Sequence, residues 1–197
     1  MNLRRALSVS AATAVLLPVA VAVAPASQAA PAAEMPSCSD IGDPYGANAF
    51  VNRSFGVPKT VTPGTDWTTY TATLSNASAK ELKSFTISAE VLSYVYNEGE
   101  RDLSPYSDLQ YWDTSQRAWK TLRQADGDAR GSVPAPKTLK PRESVHVQLR
   151  FRLHKDLPMN QTYDAFTGIT GTFVDRYQGT DCTVNGVAGG GFSPVKG

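Results

Sequence analysis

Strict alternation of apolar and polar side chains marks two stretches of this chain. In the first, Tyr70, Ala72 and Leu74 fall on one side and Thr69, Thr71 and Thr73 on the other. In the second, Val145, Val147, Leu149, Phe151 and Leu153 oppose Ser144, His146, Gln148, Arg150, Arg152 and His154. A period of two, in β-branched and aromatic residues, describes strands with one face in a core and one in water. Each stretch is launched by a proline turn, Thr62-Pro63-Gly64-Thr65 and Leu139-Lys140-Pro141-Arg142. The second set of apolar residues and the Tyr70 set are therefore expected to point inward.

The remaining chain reads in the same grammar. Phe50 to Val61 predicts an edge strand interrupted by Pro58, which has no N–H for a ladder. Between Leu82 and Tyr96 the apolar phase changes: Phe85, Ile87, Ala89 and Val91 share one face, and Leu92, Tyr94 and Tyr96 the other. A phase change predicts a bulge or a sheet-switching bend near Val91 and Leu92. Leu109 to Asp113 and Ala118 to Leu122 flank Thr114-Ser115-Gln116-Arg117, a hairpin that sets Trp112 close to opposite Trp119. Gln124 to Lys137 reads as a Gly/Pro/Asp loop, and a final strand pair is expected within Thr162 to Tyr177. Residues 185–197 read as a Gly-rich tail. No segment carries a helical period. The expected product is all-β, a single antiparallel sandwich of about seven or more strands over residues 50–184, preceded by a leader segment over 30–49.

Residues 1–29 are expected to be a secretory signal peptide. Arg4 and Arg5 precede an apolar stretch from Ala11 to Ala24, of about 14 residues where a membrane-spanning helix needs roughly 20, and Ser27-Gln28-Ala29 offers small residues for cleavage. Arg4-Arg5 also weakly resembles a twin-arginine signal, and either route leads out of the cytoplasm. Removing those two arginines from the 19 basic residues leaves 17 against 18 acidic ones, a formal charge of −1. That balance argues against a nucleic-acid surface or an anionic-membrane binder. No second apolar segment of spanning length follows. Cys38 and Cys182 are the only two cysteines, and in an exported chain they are most simply one disulfide tying the N-terminal segment to the last strand.

The phrases Thr62-Pro63-Gly64, Trp67 to Asn76, Leu109-Gln110-Tyr111-Trp112 and Leu139 to Val145 together resemble the immunoglobulin-like modules of exported actinobacterial (Streptomyces-type) proteins, some of them attached to the cell wall. The likeness spans roughly residues 50 to 177. It implies a sandwich fold and a role in extracellular or cell-envelope interaction, and its motifs specify turns and strands, not an activity. The chain shows no Leu-Pro-x-Thr-Gly sorting motif. The expected location is therefore secreted and extracellular, with non-covalent wall association left open.

Candidate chemistry is sparse. His146 and His154 share a face but lie eight residues apart, roughly 26 Å along a strand, too far to share a metal. No Gly-x-Ser-x-Gly elbow accompanies the serines. Glu98, Glu100, Asp102 and Asp108 could supply a carboxylate pair, and Asp126-Gly127-Asp128 could offer oxygens to calcium, yet each reads as a solvated loop or turn. The best binding candidates are aromatic: Tyr94 and Tyr96, with Tyr106 and Tyr111, as a stacking platform for glycan or protein. The expectation is a non-enzymatic extracellular interaction domain with no metal and no cofactor, its partner an unknown extracellular protein or glycan. The alternatives are a carbohydrate-binding module for wall or environmental glycans and an inhibitor of an extracellular protease.

Overall fold

The computed structural model describes residues 35–43, 49–95 and 101–197. The expected signal peptide, the first part of the leader, Tyr96, Glu98 and Glu100 lie outside the described residues. Two five-stranded sheets form the body. Sheet I has the order β1-β3-β10-β6-β7 and sheet II the order β2-β12-β11-β5-β8. In sheet I, β1 is Phe50–Phe55, β3 Thr68–Asn76, β10 Ser144–Leu153, β6 Ser107–Asp113 and β7 Ala118–Leu122. In sheet II, β2 is Thr60–Val61, β12 Thr180–Pro194, β11 Asp164–Tyr177, β5 Thr86–Tyr94 and β8 Arg130–Val133. A two-stranded ladder joins β4, Leu82–Lys83, to β9, Thr138–Leu139. All pairings are antiparallel except that of β2 with β12. The neighbours β1-β3-β10-β6 and β12-β11-β5 reproduce the A-B-E-D and G-F-C sheets of an immunoglobulin-like sandwich, with β7 and β8 added at the edges.

The two alternating stretches behave as their pattern requires. Tyr70, Ala72 and Leu74 of β3 and Val147, Leu149, Phe151 and Leu153 of β10 are buried, and they meet Val91, Ile169, Val184 and Phe192 of sheet II. In the turns Thr62–Thr65 and Lys140–Glu143, each closed by a bond from the fourth N–H to the first carbonyl, Pro stands second and a left-handed residue third, Gly64 at φ 80° and Arg142 at φ 65°, the geometry of a type II turn. Buried Asn76 closes the end of β3. Its amide donates to the carbonyls of Lys80 and Leu139, and its oxygen accepts from the Ser78 backbone N–H and hydroxyl. The Cys38–Cys182 disulfide exists and closes a loop with a sequence separation of 144. By chain entropy such a closure stabilises by about 5 kcal/mol.

Three expectations are corrected. Residues 185–197 are no tail: Thr180–Pro194 is one 15-residue strand, paired along its length with the 14-residue β11. Gln178 and Gly179, both left-handed, join the two as a two-residue primed turn, whose twist suits a hairpin. The glycines serve packing, since a Cβ on Gly186 would fall 2.5 Å from the Phe50 ring. The run expected from Leu82 to Tyr96 is interrupted not near Val91 and Leu92, where β5 keeps unbroken register with β11, but at left-handed Ser84, which parts β4 in its ladder with β9 from β5 in sheet II. Ser93 takes the inward position there, its hydroxyl and N–H both donating to the Asp102 carboxylate. The loop from Gln124 to Lys137 contains β8. The segment that carries Cys38 is held to β12, as the disulfide implies, by backbone bonds from Cys38 to Thr183 and from Thr183 to Pro36.

Candidate functional site

In sheet I, every side chain that alternation turns away from the core stands on one broad outer face. Reading across the strands, β1 contributes Val51, Arg53 and Phe55, and β3 contributes Thr69, Thr71, Thr73 and Ser75. Strand β10 adds Ser144, His146, Gln148, Arg150 and Arg152. Strands β6 and β7 add Asp108, Gln110, Trp112, Trp119 and Thr121. Trp67 joins this face from the segment between the Pro63 turn and β3. All three tryptophans of the chain thus sit on the water side of one sheet.

Two guanidinium groups organise the aromatics. The Arg150 guanidinium carbon lies 4.5 Å from the Trp67 ring centre and 4.3 Å from that of Trp119, and that of Arg152 lies 4.7 Å from Trp67. A planar, weakly hydrated cation stacks well on an indole face. Trp112 meets Trp119 edge to face, with centres 5.4 Å apart. In-plane hydrogen bonds hold the stack in place. Arg150 donates from Nε and Nη2 to Gln110 Oε1 at 2.8 and 2.6 Å, and the Gln110 amide donates to Thr121 Oγ1. Asp108 accepts from Arg152 Nε at 2.9 Å and from Arg123 Nη2 at 2.9 Å, with His154 Nε2 at 3.2 Å. Burial alone would raise the Asp108 carboxyl, but the bonds from Arg152, His154 and Arg123 outweigh it and hold it below the usual carboxylate range.

Beside this ladder the same face sinks into a hollow of about 500 Å³, lined by Val51, Arg53, Phe55, Thr71, Thr73, Ser75, Ser144 and His146. Phe55 is 63% exposed there. Thr73 Oγ1 is bonded to His146 Nδ1 at 2.9 Å, and Ser75 to Ser144 at 2.7 Å. The hollow thus offers hydroxyls, an imidazole and a guanidinium beside an open aromatic ring.

The tyrosines expected to act together are separated. Tyr94 stands exposed on the outer face of sheet II, opposite Asp164 in register. It borders a depression of about 290 Å³ lined also by Glu90, Asp102 and Arg130, where burial raises the Glu90 carboxyl. Tyr111 lies in sheet I and Tyr106 in the 3₁₀ turn Ser104–Tyr106, both partly buried against the core. Asp126 and Asp128, the calcium candidates, both pair with Arg130. Among the described residues no group of three or more His, Cys, Asp and Glu side chains could hold a metal, and no helix is long and apolar enough to cross a membrane.

Sequence reasoning misses the Trp–Arg face, because it finds no assembled chemistry on the outward side of β10. A usable signal is present: tryptophan and arginine occupy outward strand positions, where exposure of a large ring is costly.

No family model matches the chain, and no curated protein matches it. Among solved structures it is similar to AvmM, which catalyses macrocyclization in alchivemycin A biosynthesis, at 16% identity and a TM-score of 0.53, over 76% of this chain and 90% of that one. It also matches the PapD-like domain 7 of human CEP192 at 10% identity and a TM-score of 0.33, over 76% and 87% of the two chains. A third match is a GH20 exo-β-N-acetylglucosaminidase from Vibrio harveyi, at 10% identity and a TM-score of 0.31, over 71% and 17%. The likeness to AvmM is one of fold alone, and the two weaker matches carry no argument. The protein is an immunoglobulin-like β-sandwich.

Proposed function

We propose that this protein is a non-catalytic binding domain working outside the cytoplasm, and that it holds glycan on the outer face of sheet I. The observation that supports this reading is the gathering of Trp67, Trp112 and Trp119 with Arg150 and Arg152 on one water-facing sheet surface. Sugar rings present apolar C–H faces edged by hydroxyls, and they suit indole rings bordered by fixed donors and acceptors. Gln110, Thr121 and the hydroxyl-lined hollow around Thr73 supply such groups. The Cys38–Cys182 disulfide fits an oxidising compartment.

Catalysis is the rival reading. The one hydroxyl–imidazole pair on this face, Thr73 with His146, has no carboxylate among the described residues bonded to the imidazole's other nitrogen. A nucleophile needs its base oriented as well as near.

Co-sedimentation with insoluble polysaccharides and purified cell wall tests the proposal. Wild type should pellet with at least one glycan, Trp119→Ala should stay in the supernatant, and Tyr94→Ala should still pellet. Wild type remaining soluble with every glycan refutes glycan binding. Loss in Tyr94→Ala with retention in Trp119→Ala moves the ligand to sheet II.

A further inference from the structure

The charge on the outer face of sheet I is lopsided. Among its outward strand positions Asp108 is the one carboxylate, against Arg53, Arg150 and Arg152, with Arg123 following directly after β7. Asp108 is already shared by Arg152, Arg123 and His154. Arg150 differs from its neighbour. Two of its nitrogens bond to the neutral oxygen of Gln110, and no carboxylate of the described residues pairs with it. Its Nη1 edge is not used in that bond. The chain as a whole carries a formal charge of only +1, so the excess is local.

A guanidinium clamped by two indoles is stiff, and its remaining donors keep a fixed direction. Such a group receives a carboxylate with little further ordering, through charge-assisted hydrogen bonds. Burial chiefly, and the neighbouring Arg152 second, weaken the hold of Arg150 on its proton. A second basic position follows on the same face. Arg53 on β1 and His146 on β10 flank Thr73 in register; His146 lies four residues along β10 from Arg150, roughly 13 Å, and Arg53 stands two strands across from it, roughly 16 Å from Arg150. Apolar rings and cations thus repeat over the length of a short oligosaccharide.

We infer that the glycan recognised here is acidic: a polyuronate-type polysaccharide whose carboxylates are received by Arg150 and Arg53 while its sugar rings lie against the tryptophans. This rests on the glycan reading above and adds the charge of the ligand to it.

Affinity electrophoresis of the mature protein through gels containing polygalacturonate, neutral dextran or poly-glutamate tests the inference. Polygalacturonate should retard wild type, and less so as salt rises. Arg150→Gln should weaken retardation by about tenfold or more, and Arg150→Lys by less. Arg53→Gln lies outside the stacked ladder, so it should weaken binding without altering the thermal transition; this guards against an Arg150 variant that loses affinity only because Trp67 shifts. Equal retardation by dextran, or no loss in Arg53→Gln and Arg150→Gln, overturns the acidic assignment and leaves glycan binding standing. Equal retardation by poly-glutamate overturns it in favour of an acidic protein partner. No retardation by polygalacturonate overturns the acidic assignment, while the glycan reading itself falls only if wild type also fails to pellet with every polysaccharide and with cell wall.

Discussion

The hydrogen bond that joins the two sheets through the core lends itself to a double-mutant cycle. The Tyr70 hydroxyl on β3 lies 2.7 Å from Thr167 Oγ1 on β11, and Thr167 in turn donates to the Glu90 carbonyl at 3.2 Å. Tyr70 is 2% exposed and Thr167 0%, so neither hydroxyl can turn to bulk water. Tyr70→Phe removes the outer member of the relay. Thr167 keeps Glu90 as its acceptor, so the cost should be one buried neutral hydrogen bond, about 1 kcal/mol. Thr167→Val keeps the volume but strands the phenol hydroxyl and also breaks the bond to Glu90, which should cost about 2 to 3 kcal/mol. In the double variant no phenol is left stranded, and the cost should fall back to about 1 to 1.5 kcal/mol. The cycle should therefore be non-additive by about 2 kcal/mol, with the double variant more stable than Thr167→Val alone. Urea unfolding with a constant m-value, followed by tryptophan fluorescence, measures each corner. For a protein of this size each kcal/mol moves the thermal midpoint by roughly 2 to 4 °C. Additivity within about 0.5 kcal/mol, or a Thr167→Val variant no weaker than Tyr70→Phe, would refute the reasoning, since the phenol would then have found another partner.

Two further outcomes follow from packing and charge. Gly186→Val should destabilise by about 2 kcal/mol or more, because even its Cβ would lie 2.5 Å from a Phe50 ring that Phe85 and Phe173 already confine. Gly191→Ala, whose nearest neighbour would be 3.6 Å away, should stay within about 0.5 kcal/mol of wild type by urea unfolding. Asp108→Asn should unfold at lower urea than wild type at pH 7. The folded carboxyl lies below its unfolded value, so its stabilisation is present above about pH 4 and is lost as pH falls through the depressed folded value. The midpoints of wild type and of the Asp108→Asn variant should converge in acid; a gap that persists there would mean that shape, not charge, is what Asp108 supplies.

Where side chains themselves carry the pattern, the chain could be read directly. The inward faces of β3 and β10, the Trp112–Trp119 hairpin and the cysteine pairing were legible because each depends on alternation, on a turn, or on there being only two thiols. β12 was not legible, since Gly186, Gly189, Gly190 and Gly191 have no side chains with which to write a period of two. That strand exists because β11 offers it a ladder and Phe50 and Val57 cover its bare backbone. Ser93 misled the phase of β5 for a related reason: a polar residue can face inward once Asp102, nine positions away, satisfies it.

The candidate site shows the same division more sharply. Alternation alone determined that Arg150 and Arg152 face water, and that Trp112 and Trp119 oppose one another. Their assembly into one ladder was decided only by tertiary register, which sets Arg150 opposite both Thr69 and Gln110 and brings together segments some 40 residues or more apart in sequence. Local sequence determines which side of a strand a residue occupies, because that is set by the backbone's own geometry. Which strands become neighbours is a property of how the whole core closes, and the chemistry of the outer face depends on that closure.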